Sequence, residues 1–207
     1  MLQDGDMPKI VDHGQRRTEI VEAYLRVLAD RGASGTNGRT LAHELGVVPG
    51  TIWHYFDSVE QIAEAAARRG VERTLARIAA RSAGQRGLRA LLTITEEILP
   101  LDVVTQAEAR VVVAFWGQMT TAARDRGALG RVREFTELTR AAVEQAREDG
   151  EIRPDTPVAL LVRQLDSLYA GEQVILAADS TSSAPGEIRA VLALTLAPWT
   201  VERSLSA

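Results

Sequence analysis

Apolar residues recur every three to four positions along almost the whole chain, the spacing of helices that each bury one face, and no run of alternating β-branched residues is long enough for a sheet. An all-α fold follows. Ile20, Tyr24, Val27 and Leu28 give a first helix over about Arg16 to Asp30, ended by Gly32. Asn37 caps a short second helix over Gly38 to Leu45, and Gly46 supplies its left-handed stop. Pro49 stands where a first helical position is expected, so a third helix should run from Pro49 to about Tyr55. Its stripe of Val48, Ile52 and Phe56 is expected to be buried against Leu41, Ala42, Leu45 and Val47. Ser58 and Gln61 fit a capping box that opens a long fourth helix, with Ile62, Ala66, Leu75 and Ile78 facing inward toward Ser82.

The stretch Ser82 to Gly87, SAGQRG, reads as a hinge. Beyond it, helices are expected near Leu88 to Leu99, Leu101 to Arg110 and on to about Arg124, Gly130 to Glu148, Thr156 to Ala178, and Pro185 to about Val201. The domain reading is an N-terminal arm over 1–14, a three-helix head over 15–62 whose fourth helix continues as a connector to about 83, and a second helical domain over 84–207. The segment from Pro157 to Ala177 is apolar around much of its girth. Leu161, Leu165, Leu168 and Ile175 fall on one side, Val158, Val162, Tyr169 and Leu176 on another. With Val132, Phe135, Thr139, Ala142 and Ala146 of the preceding helix, it is read as half of an intermolecular four-helix bundle, a homodimer through helices near 130–148 and 157–177.

Two short helices joined by a tight turn and entering a third make the arrangement by which proteins place a helix in the major groove of DNA. The outward set of the third helix, Gly50, Thr51, Trp53 and His54 with Tyr55 at its edge, carries no charge and several large rings, unlike an ordinary solvated face. Against a duplex it makes sense. Gly50 permits close backbone approach, Thr51 can donate to phosphate or touch a thymine methyl, and the rings carry N–H and O–H donors. The alternative, with Trp53 or Tyr55 as plain core aromatics, stays open at this stage.

At 207 residues and 45% hydrophobic content, the chain can bury a substantial core. It has no cysteine, which excludes disulfides, thiol nucleophiles and cysteine-ligated metal clusters and fits a reducing cytoplasm. Neither a membrane span nor a secretion signal is expected, since no apolar run approaches the needed length and Asp4, Asp6 and Asp12 interrupt the N-terminus. The net charge of −4 is unevenly spread: 12 basic against 11 acidic residues up to Gly87, then 12 against 17. The head is therefore close to neutral, and affinity for DNA must come from a few placed donors and from doubled contacts in a dimer. Lys9 and His13 of the arm could touch a neighbouring groove.

These residues resemble the DNA-binding domain of the TetR (tetracycline repressor) family. The resemblance rests on an amphipathic first helix ending at Arg31-Gly32, then RTLAHELGV at Arg39 to Val47, PGTIWHYF at Pro49 to Phe56, and Ser58 opening the fourth helix. Phe115-Trp116 and GEIRPD at Gly150 to Asp155 are similar to one of the family's ligand-domain subtypes. By resemblance, the family's DNA contacts fall on Arg39, Pro49, Gly50, Thr51, Trp53 and Tyr55; His54 joins them from the exposure argument alone. Two positions depart from the family. Val48 stands where a polar cap is usual, losing a capping bond of about 1 kcal/mol, and Val59 stands where a lysine usually meets a phosphate.

The resemblance implies a homodimeric regulator, a repressor on a palindromic double-stranded operator, released by a small-molecule effector. Phe115, Trp116, Met119, Phe135, Asp166 and Tyr169 are the candidate ligand residues, with apolar walls and a few polar handles; core packing, or an interface place for Asp166, is the alternative. No cofactor, metal or catalytic residue is expected. The three histidines, His13, His43 and His54, are all N-terminal and none follows a Glu by three, as a carboxylate-bridged di-metal site would require. Glu96 and Glu97 are adjacent and so diverge, which suits a solvated face better than an acid–base pair. A helical adaptor without a DNA role would explain the acidic charge but not the exposed rings beside a Pro-Gly helix start.

Overall fold

The structure, a computed structural model, describes residues 13–118, 132–179 and 184–201. The fold is all-α. Among the described residues the sole extended pairing is an antiparallel bridge between Ile152 and Thr200. The chain divides into two compact units between Ala66 and Ala67, inside the fourth helix.

In the first unit, α1 (His13–Arg31) buries Ile20, Val21, Ala23, Tyr24, Val27 and Leu28. It stops at Gly32, whose φ of 68° is a left-handed conformation that side chains other than glycine's disfavour. The helix starts earlier than the pattern predicts, so His13 and Gly14 are helical rather than part of an arm; Lys9 lies outside the described residues. In α2 (Gly38–Leu45), the Asn37 side chain accepts from the amides of Arg39 (3.0 Å) and Thr40 (3.1 Å), and the Thr40 hydroxyl accepts from the Asn37 amide (3.0 Å). That reciprocal cap satisfies amides the helix cannot pair itself.

The next helix, α3 (Pro49–Ile52), is a single turn, shorter than the predicted span to Tyr55. Ile52 and Phe56 are buried and Leu41 and Ala42 lie inside with them, whereas Leu45 and Val47 are half-buried. Val48, expected inside, is 70% exposed. The helical period does not reach it: Val48 is the N-cap, with extended backbone, so its side chain leaves the stripe that Ile52 and Phe56 occupy. Then α4 (Val59–Arg81) begins after Ser58, whose hydroxyl accepts from the Gln61 amide at 3.3 Å. Gln61 reaches back to the Asp57 amide (3.0 Å), one residue before the partner a regular capping box would use.

The second unit contains the rest of α4 with α5 (Gly87–Ile98), α6 (Val103–Gln118), α7 (Val132–Glu148), α8 (Val158–Ala178) and α9 (Pro185–Leu196). α5 packs on α7, α8 packs on α6, α7 and α9, and the shared core includes Leu91, Ile94, Val143, Leu161, Leu165 and Ile188. The GEIRPD stretch has a local task. The Glu151 carboxylate accepts from the Leu88 amide (2.6 Å) and so caps α5 from a distance, while Ile152 is buried beside its bridge to Thr200. The last helix stops at Leu196 instead of near Val201. Pro198 cannot continue a helix, and the chain turns so that the Arg153 amide donates to the Trp199 carbonyl and the Val201 amide to the Glu151 carbonyl (2.8 and 3.0 Å).

The stripe of α7 is turned inward. Thr139, Ala142 and Ala146 are buried and Phe135 packs against the core, all within their own unit. A stripe covered by its own chain cannot face a partner, so the expected contribution of these residues to an intermolecular bundle is corrected; the Val132 side chain lies outside the description. On α8 the two expected apolar sides become one buried face of Val158, Leu161, Val162, Leu165, Tyr169 and Leu176, with Ile175 exposed.

Candidate nucleic-acid interface

The interface candidates cluster where α2 begins and α3 turns. Arg39 is exposed in the first turn of α2, its amide held by Asn37 and its side chain directed to solvent. Pro49 and Gly50 are exposed at the start of α3, and beyond its chain neighbours and its own helix backbone nothing lies within 4 Å of where a Gly50 Cβ would stand. A partner's backbone or phosphate can therefore come close there. Thr51 is half-buried with its amide bonded to the Val48 carbonyl (3.0 Å), and His54 is exposed.

Trp53 is neither free nor core. It is 43% exposed, and the edge of its indole lies so close to Gly38 that a Cβ there would collide with Cζ2. Any larger residue at position 38 would lift the ring, so Gly38 is part of the site although no sequence signal marks it. Tyr55 is half-buried with its ring 4.6 Å from that of His13. Arg17 donates to the Tyr55 carbonyl and lies 4.0 Å from the centre of the Phe56 ring. A sequence signal for both α1 residues exists: His13 and Arg17 continue the stripe of Ile20, Tyr24, Val27 and Leu28, where a charged residue is out of place unless it has a partner.

The structure thus brings Arg39, Pro49, Gly50, Thr51, Trp53, His54 and Tyr55 into one neighbourhood of the first unit, with the exposed members forming an arc. Between Gly32 and Ala67 the sequence has one cation, Arg39. The surface can offer amide, indole, imidazole and hydroxyl donors, but little positive charge.

The candidate ligand residues lie in the second unit and are not all brought together. Phe135 and Tyr169 belong to one apolar cluster; Phe115 is buried outside it, with its ring 6.5 Å from that of Trp116, which is 42% exposed. Met119 lies outside the described residues. The Tyr169 hydroxyl is 2.9 Å from that of Thr95, and burial pushes the phenol up to about 12. Thr139 is wholly buried. Asp166 accepts from the Thr136 hydroxyl of α7 at 3.0 Å, and burial raises its carboxyl above the ordinary range despite that bond.

Charge in this unit is concentrated elsewhere. Arg77 of α4 donates to Glu97 of α5 (2.7 Å) and to both oxygens of Glu108 on α6 (2.9 and 2.7 Å), Thr74 adds a bond to Glu108 (2.9 Å), and Arg81 also pairs with Glu97. Glu97, expected on a solvated face, is only 5% exposed. Burial would raise its pKa, but Arg77 and Arg81 together hold it below the usual carboxylate range.

Residues 20–66 match the bacterial regulatory proteins of the tetR family. The HTH-type transcriptional regulator PksA of Bacillus subtilis (strain 168) is 34% identical over 112 residues, 53% of this chain and 54% of PksA, so the match spans about half of that protein. The HTH-type transcriptional repressor KstR2 of Rhodococcus jostii (strain RHA1) is 27% identical over 163 residues, 72% of this chain and 74% of KstR2. Among solved structures, a transcriptional regulator from Saccharomonospora viridis in complex with choline shares the fold with a TM-score of 0.80, at 21% identity over 91% of this chain and 100% of that one.

Proposed function

We infer that this chain, a TetR-family transcriptional regulator, acts as a homodimeric repressor that binds a palindromic operator and leaves it when a small molecule binds the second unit. The observation that carries the reading is the uncharged, ring-bearing arc from Pro49 to His54 at the start of a helix, open to solvent beside Arg39. Arg39 meets phosphate; Pro49, Gly50 and Thr51 approach the backbone and base edges at the tip of α3; Trp53, His54 and Tyr55 extend the contact along the groove. One such head buries too little for tight binding. Two heads on a two-fold axis read half-sites about one helical turn apart.

The dimer surface is the outward face of α8 with that of α9. On α8 the stripe Leu160, Gln164, Ser167, Gly171, Val174 and Ala178 has no charge, and Leu160, Val174 and Ile175 are exposed; on α9, Val191 and Leu194 are exposed. Small residues at Ser167, Gly171 and Ala178 allow close helix approach.

The effector site draws on Phe115, Trp116, Met119, Phe135, Asp166 and Tyr169. The name of KstR2 as a repressor and the choline in the Saccharomonospora viridis regulator support repression and ligand response as properties that related proteins have. An effector that favours one setting of α5 and α6 shifts α4 through Arg77 and Arg81, a coupling of about 1 to 3 kcal/mol in typical regulators. The operator places the working protein in the cytoplasm; among the described residues no helix is long and apolar enough to cross a membrane.

Selection of duplexes from a randomised library by the full chain tests the reading. A symmetric consensus with half-sites near one turn apart is expected, together with a dimer in sedimentation and weakened binding by Thr51→Ala with the dimer intact. No enriched sequence, or dimer loss on Thr51→Ala, overturns it.

A further inference from the structure

We propose that Arg17 is the positioning residue of the recognition segment: from α1 it fixes the chain at Tyr55 and Phe56, and so sets the angle at which Thr51, Trp53 and His54 meet a duplex. This rests on the reading of the head as a DNA-binding element. A single turn such as α3 has little stiffness of its own, because most helical stability in proteins comes from packing. Past Ile52 the chain leaves the helix, and its backbone continues through bonds from the His54 amide to the Thr51 carbonyl (3.4 Å) and from the Tyr55 and Phe56 amides to the Ile52 carbonyl (2.9 and 3.2 Å). Three of the proposed reading residues, Trp53, His54 and Tyr55, therefore lie past the end of α3, tied to it only by these turn bonds.

Arg17 supplies the missing restraint in two ways. One N–H group donates to the Tyr55 carbonyl, a charge-assisted bond across 38 positions of sequence. The Cζ atom of the same guanidinium lies over the Phe56 ring, 4.0 Å from its centre, and Phe56 is buried. Two consecutive residues at the end of the reading segment are thus held by one planar group. One turn earlier on α1, His13 lies against the Tyr55 ring. The adjacent Arg16 is engaged differently, with Glu19 at 2.6 Å. A guanidinium committed to a carbonyl and a ring is oriented away from phosphate work, so its loss should alter discrimination and not salt sensitivity. Lysine, a point charge with no planar fork, is less suited to meet a ring and a carbonyl together, which makes Arg17→Lys an informative partial variant.

The test uses the full chain, the consensus duplex that the wild type selects from a randomised library, and a scrambled duplex of equal composition. Affinity for each is measured across a salt series for wild type, Arg17→Met and Arg17→Lys, with melting followed by circular dichroism. For Arg17→Met the ratio of consensus to scrambled affinity should fall about tenfold or more, with the slope of log affinity against log salt unchanged. Arg17→Lys should fall between it and wild type. If Arg17→Met weakens both duplexes equally and flattens the slope by about 1, Arg17 is a phosphate contact and the proposal fails. Unchanged discrimination sinks it as well. Should Arg17→Met melt below the assay temperature, the same two measures on Arg17→Lys decide. A wild type that selects no sequence ends the DNA-binding reading itself, whereas one that selects a consensus which Arg17→Met binds equally well ends only this proposal.

Discussion

Tyr24 takes its phenol into the centre of the head, where among the described residues its hydroxyl finds no partner. Burial, with Glu60 adding to it, raises the phenol to about 12, so it stays neutral, but an unpaired buried hydroxyl still costs about 1 to 3 kcal/mol. Removing the oxygen and keeping the ring removes that cost. Tyr24→Phe is therefore expected to leave the head's stability unchanged or raise it by up to about 1 kcal/mol in urea unfolding; a loss above that would mean the hydroxyl is paired after all. Glu97 is the opposite case, a buried carboxylate kept ionised by two arginines. Its folded pKa lies below the usual 4.5, so its contribution is fully present above that value and is lost as pH falls through the lower, folded one. Glu97→Gln should cost roughly 2 kcal/mol at neutral pH and leave a smaller drop in stability between neutral pH and pH 4, as followed by denaturant melts at both. Spacing made Tyr24 legible as part of the buried stripe of α1, but not its unpaired hydroxyl, and it did not reveal the place of Glu97. The adjacency of Glu96 and Glu97 gives their divergence, but not which of the two turns inward to meet Arg77 across 20 positions.

At the scale of elements, several helix starts and stops made by a local residue were legible. Asn37 and Gly46 bound α2, Gly32 ends α1 and Pro49 opens α3. The end of α3 was not, since no local residue announces it, and Val48 left its expected stripe once the helix proved a single turn long. Pro198 was a legible stop that the apolar pattern beyond it obscured. The stripe of α7 was legible as a stripe, yet a periodic face looks the same whether its own chain or a partner covers it. Of the proposed reading residues, those on the arc were marked by composition, an uncharged surface with rings. Gly38 was not, since nothing near it in sequence announces that Trp53 will rest there. Val48 also offers a clean gain. It is exposed, makes no side-chain cap and sits before α3, so Val48→Ser adds an amide acceptor without opening a cavity. An increase in unfolding free energy of about 1 kcal/mol is expected by urea melt; no gain would show that the α3 amides are already satisfied.

For the whole molecule, the distribution of charge separates two kinds of association. Acidic residues outnumber basic ones 17 to 12 after Gly87, yet the outward stripe of α8 carries none of them, so dimerisation through it should be apolar and tolerant of salt. In the proposed dimer, a charge placed there would bring two like charges together across the two-fold axis. Val174→Glu should yield monomers in sedimentation and lose operator binding, with helix content and melting of the chain little changed; a persistent dimer would move the interface elsewhere. The chain up to Gly87, by contrast, has 12 basic against 11 acidic residues, and Arg39 is the single cation from Gly32 to Ala67. Val59 adds none where the resembled family usually has a lysine. Each phosphate neutralised by a cation contributes about −0.9 to the slope of log affinity against log salt. Two heads with one placed arginine each should therefore give a slope of about −2, shallow for an operator binder, and Arg39→Ala should take it close to zero. A slope of about −6 or steeper would show that cations outside the recognition elements reach the backbone, and that affinity depends more on general attraction to phosphate than on the uncharged arc.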